Sequence, residues 1–260
     1  MRRIATRPGR PNWLLVPGGP GLGSESLLGL ARTAELPGSV WLVDLPGDGS
    51  HRSAGPPDER WPGALAEAAE AVDHPAAVGH STGGMLLLSV PALAGRLTAL
   101  ALVSSAPHAG WRDTFARWAA AHPLPGLDAA AEQYDRHPDD TTLRALTRAA
   151  APWNFTPAAL PAGRRLLAGL PYNQQAVAWA DTHFDATYRA RWAPGPDGPP
   201  TLVLGGAEDH VVDQGLWREA PGFHGPRTLH RTVPGAGHFP WVDNPAPVRT
   251  AFAELAALLP

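Results

Sequence analysis

Four short, largely apolar runs punctuate the first hundred residues of the chain: Trp13–Val16, Ser39–Asp44, Ala76–His80 and Leu97–Ser104. Apart from occasional polar ends they lack the polar/apolar alternation of a half-exposed strand. Segments of helical character separate them, at Ser24–Glu35, Trp61–Asp73 and Thr82–Leu93. Strands apolar on both faces that alternate with helices predict a parallel sheet covered on both sides, the α/β class. Residues 1–11 are basic and proline-rich and are expected to form a loop or a frayed edge. From about Pro107 to Pro194 the alternation stops, and the chain is helical in character with breaks at Pro123, Pro138, Pro152, Pro161 and Pro171. Strands resume at Thr201–Leu204 and Leu229–Val233, and Pro245–Leu259 reads as a closing helix. The expected organisation is a core of about six strands in two parts, 1–106 and 197–260, with 107–196 inserted as a helical cap.

Composition narrows the function. At 260 residues the chain buries one good-sized core. Its 44% hydrophobic and 17% charged residues are those of a soluble globular protein. A net charge of −3 offers no basic footprint for nucleic acid or an anionic membrane. With no cysteine there is no disulfide framework, thiolate metal site or cysteine nucleophile. No histidine pair has the spacing of a zinc helix, so neither metal nor other cofactor is expected. The N-terminus lacks the apolar core of a signal peptide, and no apolar run approaches a membrane span. The expectation is a cytoplasmic monomer or small homo-oligomer that acts on a small molecule.

The chemistry centres on Gly79-His80-Ser81-Thr82-Gly83, set between a strand-like and a helix-like segment. This is the form of a nucleophile elbow, a tight turn that holds a serine hydroxyl proud of a sheet. A serine hydroxyl attacks only when a base takes its proton, and the base needs an acid to orient it. In this arrangement the acid and then the base follow the last strands. Asp209, just past Thr201–Leu204, is the candidate acid, with Asp213 the competitor and simple turn capping the alternative use. His238, on the Gly-rich loop after the last strand, is the candidate base. His80 is expected to point away and bond neighbouring loops, and His210 to lie at the surface. The oxyanion hole needs two backbone N–H groups aimed at one point. Thr82 supplies one at a helix N-terminus. The loop Pro17-Gly18-Gly19-Pro20-Gly21 supplies the other, at Gly19, because Pro20 has no N–H.

The motifs PGGPG, VDLPGDGS, VGHSTGG, LVLGGAEDHVV and GAGHFPWVDNP together resemble the α/β-hydrolase superfamily over nearly the whole chain. Within it, Gly18-Gly19-Pro20-Gly21 is similar to a loop of the proline iminopeptidases. Residues 178–184, AWADTHF, resemble a segment of that family whose glutamate binds the substrate's free amino terminus. The resemblance implies catalysis on amide or ester carbonyls, and it would give the glutamate's role to Asp181. That carboxylate would otherwise pair with Arg189 or Arg191. Trp153, Tyr172 and Trp179, with Trp192, Phe155 and Phe184, are candidates to line an apolar pocket or else to pack the cap. Asn173 is a candidate to orient substrate, and Gly18 and Phe239, beside the oxyanion glycine and the base, are further candidates to contact it. The expected function is a serine hydrolase of a small ester, thioester, lactone or amide, with an aminopeptidase of the proline iminopeptidase type among the readings the resemblance implies. The alternative is a non-hydrolytic lyase or cyclase of secondary metabolism on the same fold.

Overall fold

The apolar runs become strands of one seven-stranded sheet: β1 (Arg2–Thr6), β2 (Asn12–Val16), β3 (Ser39–Leu42), β4 (Pro75–His80), β5 (Ala99–Val103), β6 (Thr201–Gly206) and β7 (Thr228–Val233). The computed structural model describes residues 1–19, 21–56 and 59–259, so Pro20 of the Gly-rich loop lies outside the described residues. The strand order is β1-β3-β2-β4-β5-β6-β7, parallel throughout except for β1, which pairs antiparallel with β3. The sheet therefore has one strand more than the six expected. The pattern missed β1 because an edge strand needs no apolar run. Its Arg2 and Arg3 are exposed, and Arg2 pairs with Asp44 at 2.9 Å and Glu25 at 2.6 Å.

Alternate residues of the inner strands feed opposite faces of the sheet, as the period of two requires. Trp13, Leu15, Val78, Ala101 and Leu204 join one apolar cluster, and Leu14, Val16, Ala77, Leu102 and Val203 the other. Helix α1 (Leu28–Ala34) lies on the first face, and α2 (Arg60–Glu70) and α3 (Thr82–Leu88) on the second. Helix α3 is shorter than the 82–93 expected: Pro91 forces a break, and Pro91–Leu93 forms a separate 3-10 turn.

Between β5 and β6 run α4 (Trp111–Ala121), α5 (Leu127–Arg136), α6 (Asp140–Ala149), α7 (Ala151–Asn154), α8 (Leu160–Ala168) and α9 (Gln174–His183). The two ends of this insertion meet in a short antiparallel contact, with Ala109 N donating to Tyr188 O at 3.0 Å and Ala190 N to Pro107 O at 2.8 Å. The chain closes with α10 (Pro240–Asp243) and α11 (Pro245–Ala257), which packs beside α1 on the first face. No helix among the described residues is long and apolar enough to cross a membrane.

Candidate active site

Ser81 sits at the turn from β4 into α3 with φ 51° and ψ −123°, a backbone region costly to a non-glycine residue. The neighbouring strand holds it there. Ser81 N donates to Val103 O at 2.9 Å, and the Ser105 hydroxyl donates to Ser81 O at 2.8 Å. The flanking glycines are required by close approach. A methyl on Gly79 would collide with the Gly84 backbone, and one on Gly83 with the carbonyls of Val16 and Pro17. A methyl on Gly18 would fall 2.9 Å from Ser81 Cβ, so the loop after β2 is pressed against the elbow. Gly18 thus packs behind the turn, whereas Gly19 and Thr82 reach the cavity over Ser81.

The loops after β6 and β7 converge on the same place. His238 Nδ1 lies 3.2 and 3.1 Å from the two carboxylate oxygens of Asp209, both side chains being buried. Asp209 Oδ1 also accepts from Val211 N at 3.1 Å and Val212 N at 3.0 Å, which fixes the carboxylate before it meets the imidazole. The competing Asp213 is used elsewhere: its carboxylate caps a 3-10 turn by accepting from Gly215 N at 2.7 Å. His238 N donates to Asn154 O at 2.9 Å, so α7 positions the imidazole from above. Asp243 ties the same two segments together, accepting from Thr156 N at 2.8 Å and Gly237 N at 3.3 Å. Sequence reasoning passed over Asn154 and Asp243, because one acts through its backbone and the other, although within GAGHFPWVDNP, ties loops together rather than facing Ser81.

His80 bonds a neighbouring loop as expected, and that loop carries His238. His80 Nε2 is 3.0 Å from the His238 carbonyl, which can only accept, so Nε2 carries the hydrogen. Burial, reinforced by the charge His238 can carry, holds the His80 imidazole well below its usual pKa and keeps it neutral. His210 is exposed and stacks on Trp118 with ring centroids 4.4 Å apart.

Ser81, His238, Gly19, Thr82 and Phe239 share a cavity of ≈ 270 Å³, closed above by side chains of α4, α6, α7, α8 and α9. Its walls are mostly apolar, and among the described residues no carboxylate or guanidinium lines it. Several candidates from the insertion lie away from it. Trp153 bonds His122 O at 2.9 Å and packs against Phe115 and Trp118, Tyr172 sends its hydroxyl to Leu167 O at 2.9 Å, and Trp179 stacks on His183 and meets Trp61 at a tilt. Their rings pack the helices together. Asn173 is buried in a seam, its amide donating to Gly47 O and its backbone N to Gly21 O at 2.9 Å. Asp181 is exposed on α9 and outside the cavity. Partial burial raises its pKa, and Arg112, rather than Arg189 or Arg191, is the cation that opposes the rise.

Residues 13–251 match the alpha/beta hydrolase family. The chain belongs to that family. No curated protein matches this chain in sequence. Among solved structures it is similar to a proline iminopeptidase-related protein from Thermus thermophilus, at 23% identity over 99% of this chain and 92% of that one, with a TM-score of 0.67. It is also similar to a thermophilic esterase from Thermogutta terrifontis, at 20% identity over 96% and 90% of the two chains, with a TM-score of 0.65. An alpha/beta fold family hydrolase from Bacillus anthracis str. Sterne superposes with a TM-score of 0.72 at 15% identity, over 96% and 93% of the two chains. These likenesses establish the fold.

Proposed function

We propose that this alpha/beta hydrolase is a serine hydrolase of uncharged esters, with the insertion 107–196 as the cap over its site. The observation that carries the reading is the buried Asp209–His238 contact opening into the same cavity as the strained Ser81. In this mechanism His238 takes the Ser81 proton while Oγ bonds to the substrate carbonyl carbon. The carbonyl oxygen gains charge and is held by the Gly19 and Thr82 amides. His238 then gives the proton to the alkoxide as the carbon–oxygen bond breaks, and water repeats the sequence to release the acid. Asp209 holds the imidazole in the required tautomer and steadies its cation. Among the described residues the Ser81 hydroxyl has no hydrogen-bond partner. Serine–imidazole bonds of this kind tighten when substrate binds.

An ester fits the walls better than an aminopeptidase substrate does. A buried ammonium needs a carboxylate partner, and among the described residues no carboxylate lines the cavity. A fluorophosphonate probe and p-nitrophenyl butyrate test the proposal together. Labelling at Ser81 and turnover, both lost in Ser81→Ala, are expected. An unlabelled, inert wild type would overturn it, and failure of heavy-oxygen water to enter the acid product would favour a lyase or cyclase.

A further inference from the structure

Helix α6 turns one stripe toward the cavity: Leu143, Leu146, Thr147 and, at its C-cap, Ala150. Their spacing of three, four and seven places them on one face of the helix, while Arg144 and Arg148 fall outside that stripe. The two ends of this helix are tied to opposite sides of the catalytic machinery. At its start, Asp140 Oδ1 accepts from Gln174 N at 2.8 Å, and the preceding residue, Asn173, bonds Gly21 O at 2.9 Å in the loop that carries Gly19. At its end, Ala150 O accepts from the Asn154 amide at 3.1 Å, and Asn154 O accepts from His238 N at 2.9 Å. The stripe therefore runs from the oxyanion loop to the base, over about 10 Å for seven residues of helix.

The chemistry gives that direction a meaning. In the serine-hydrolase reading on which this inference rests, His238 protonates the departing alcohol, so the alcohol must lie on the His238 side. The acyl chain then extends the other way, past the oxyanion loop. We propose that α6 measures both halves of the substrate, with Leu143 and Leu146 limiting the acyl chain and Ala150 limiting the alcohol. Both halves are uncharged, since among the described residues the stripe and the walls around it carry no carboxylate or guanidinium. Thr147 adds little polarity, its hydroxyl being spent on Leu143 O at 2.9 Å.

The test uses two ester series, p-nitrophenyl alkanoates from acetate to decanoate and butyrate esters of alcohols from methanol to octanol. Leu143→Ala is expected to raise decanoate over butyrate selectivity about tenfold and leave the alcohol profile in place, while Ala150→Leu cuts octyl against methyl butyrate by at least about tenfold. Thermal melts identify a variant that does not fold, and Leu146→Phe and Ala150→Val then provide the same contrast with the opposite sign on the acyl side. An active wild type whose two variants shift the same series, or neither, overturns this assignment alone. A wild type inert on both series and unlabelled at Ser81 removes the hydrolase reading and this inference with it.

Discussion

His80 and His238 are joined by a hydrogen bond of 3.0 Å from the imidazole of one to the backbone carbonyl of the other. The residue before the candidate nucleophile thus holds the loop that presents the candidate base. The His80 ring is enclosed by Phe239 and Trp241, with centroids 4.8 Å away in each case. His80→Phe keeps the ring and removes the donor, leaving a buried carbonyl without its partner at a cost of about 1–3 kcal/mol. A loosened base should lower kcat about tenfold while KM changes little, a fall of about 1.4 kcal/mol in transition-state stabilisation. Steady-state kinetics beside thermal melts check this. Loss of stability with kcat intact would make His80 a packing residue only.

The same histidine ties stability to acidity. Its pKa in the fold lies well below the ordinary value, so the unfolded chain binds its proton more readily. The stability it contributes is therefore complete above the unfolded value of about 6.5 and is lost as pH falls from there toward the folded pKa. Urea midpoints of the wild type should drop between pH 6.5 and 5 more steeply than those of His80→Phe. Parallel curves would contradict the assignment.

What the sequence made legible were features with a local cause. The two-sided apolar runs required a buried parallel sheet, and the glycines around Ser81 required a tight turn. A methyl on Gly83, for one, would strike the carbonyls of the loop after β2. A contact between Asp209 and His238 was expected from that turn once the strands were placed, and the structure brings the two together. The helical insertion was not legible residue by residue. Its aromatics, such as Trp179 against Trp61 and Trp153 against Phe115, serve helix packing, and composition cannot separate a ring that packs helices from one that faces substrate. Part of the cavity wall comes instead from the plain stripe of α6, which looks like any amphipathic helix until its neighbours are known. Strand β1 escaped for the reverse reason: an edge strand carrying arginines has no apolar signature.

The contact between Asp209 and His238 predicts a large asymmetric effect of a small change. Asp209→Asn keeps an oxygen for the Val211 and Val212 amides, so the loop after β6 should retain its shape. The amide no longer steadies an imidazolium and favours the wrong tautomer, and kcat should fall by about ten-thousandfold. Single-turnover kinetics with p-nitrophenyl butyrate measure it. A loss under tenfold would show that another carboxylate serves His238.

Asp181 gives the opposite expectation. It is exposed, it lies outside the cavity, and Arg112 is the cation that opposes its raised pKa. Surface changes of this kind usually stay within about 0.5 kcal/mol, which is roughly twofold in rate. Asp181→Ala should therefore leave kcat/KM on p-nitrophenyl butyrate within about twofold. A selective loss on an alanine or proline anilide would revive amino-terminus recognition through this residue.

Asp48 lies buried in the seam where Asn173 meets the core, and burial pushes its pKa up to about 6 despite hydrogen bonds from Gly49 and Asn173 that favour the charged form. Glu25 adds to the rise. The unfolded value is about 3.9, so the folded chain holds this proton more tightly. Near pH 4 and below, the carboxyl is neutral in the fold and costs nothing. As pH rises through about 6 it must ionise in the seam, and stability falls by up to about 3 kcal/mol. Asp48→Asn keeps the shape and an acceptor oxygen but removes the charge. It should raise Tm by roughly 5 °C at pH 8 and by little at pH 4.5, a comparison that thermal melts at the two pH values make directly. An equal shift at both would trace the effect to packing rather than ionisation, and a lower Tm at pH 8 would mean that the carboxylate itself holds the seam closed.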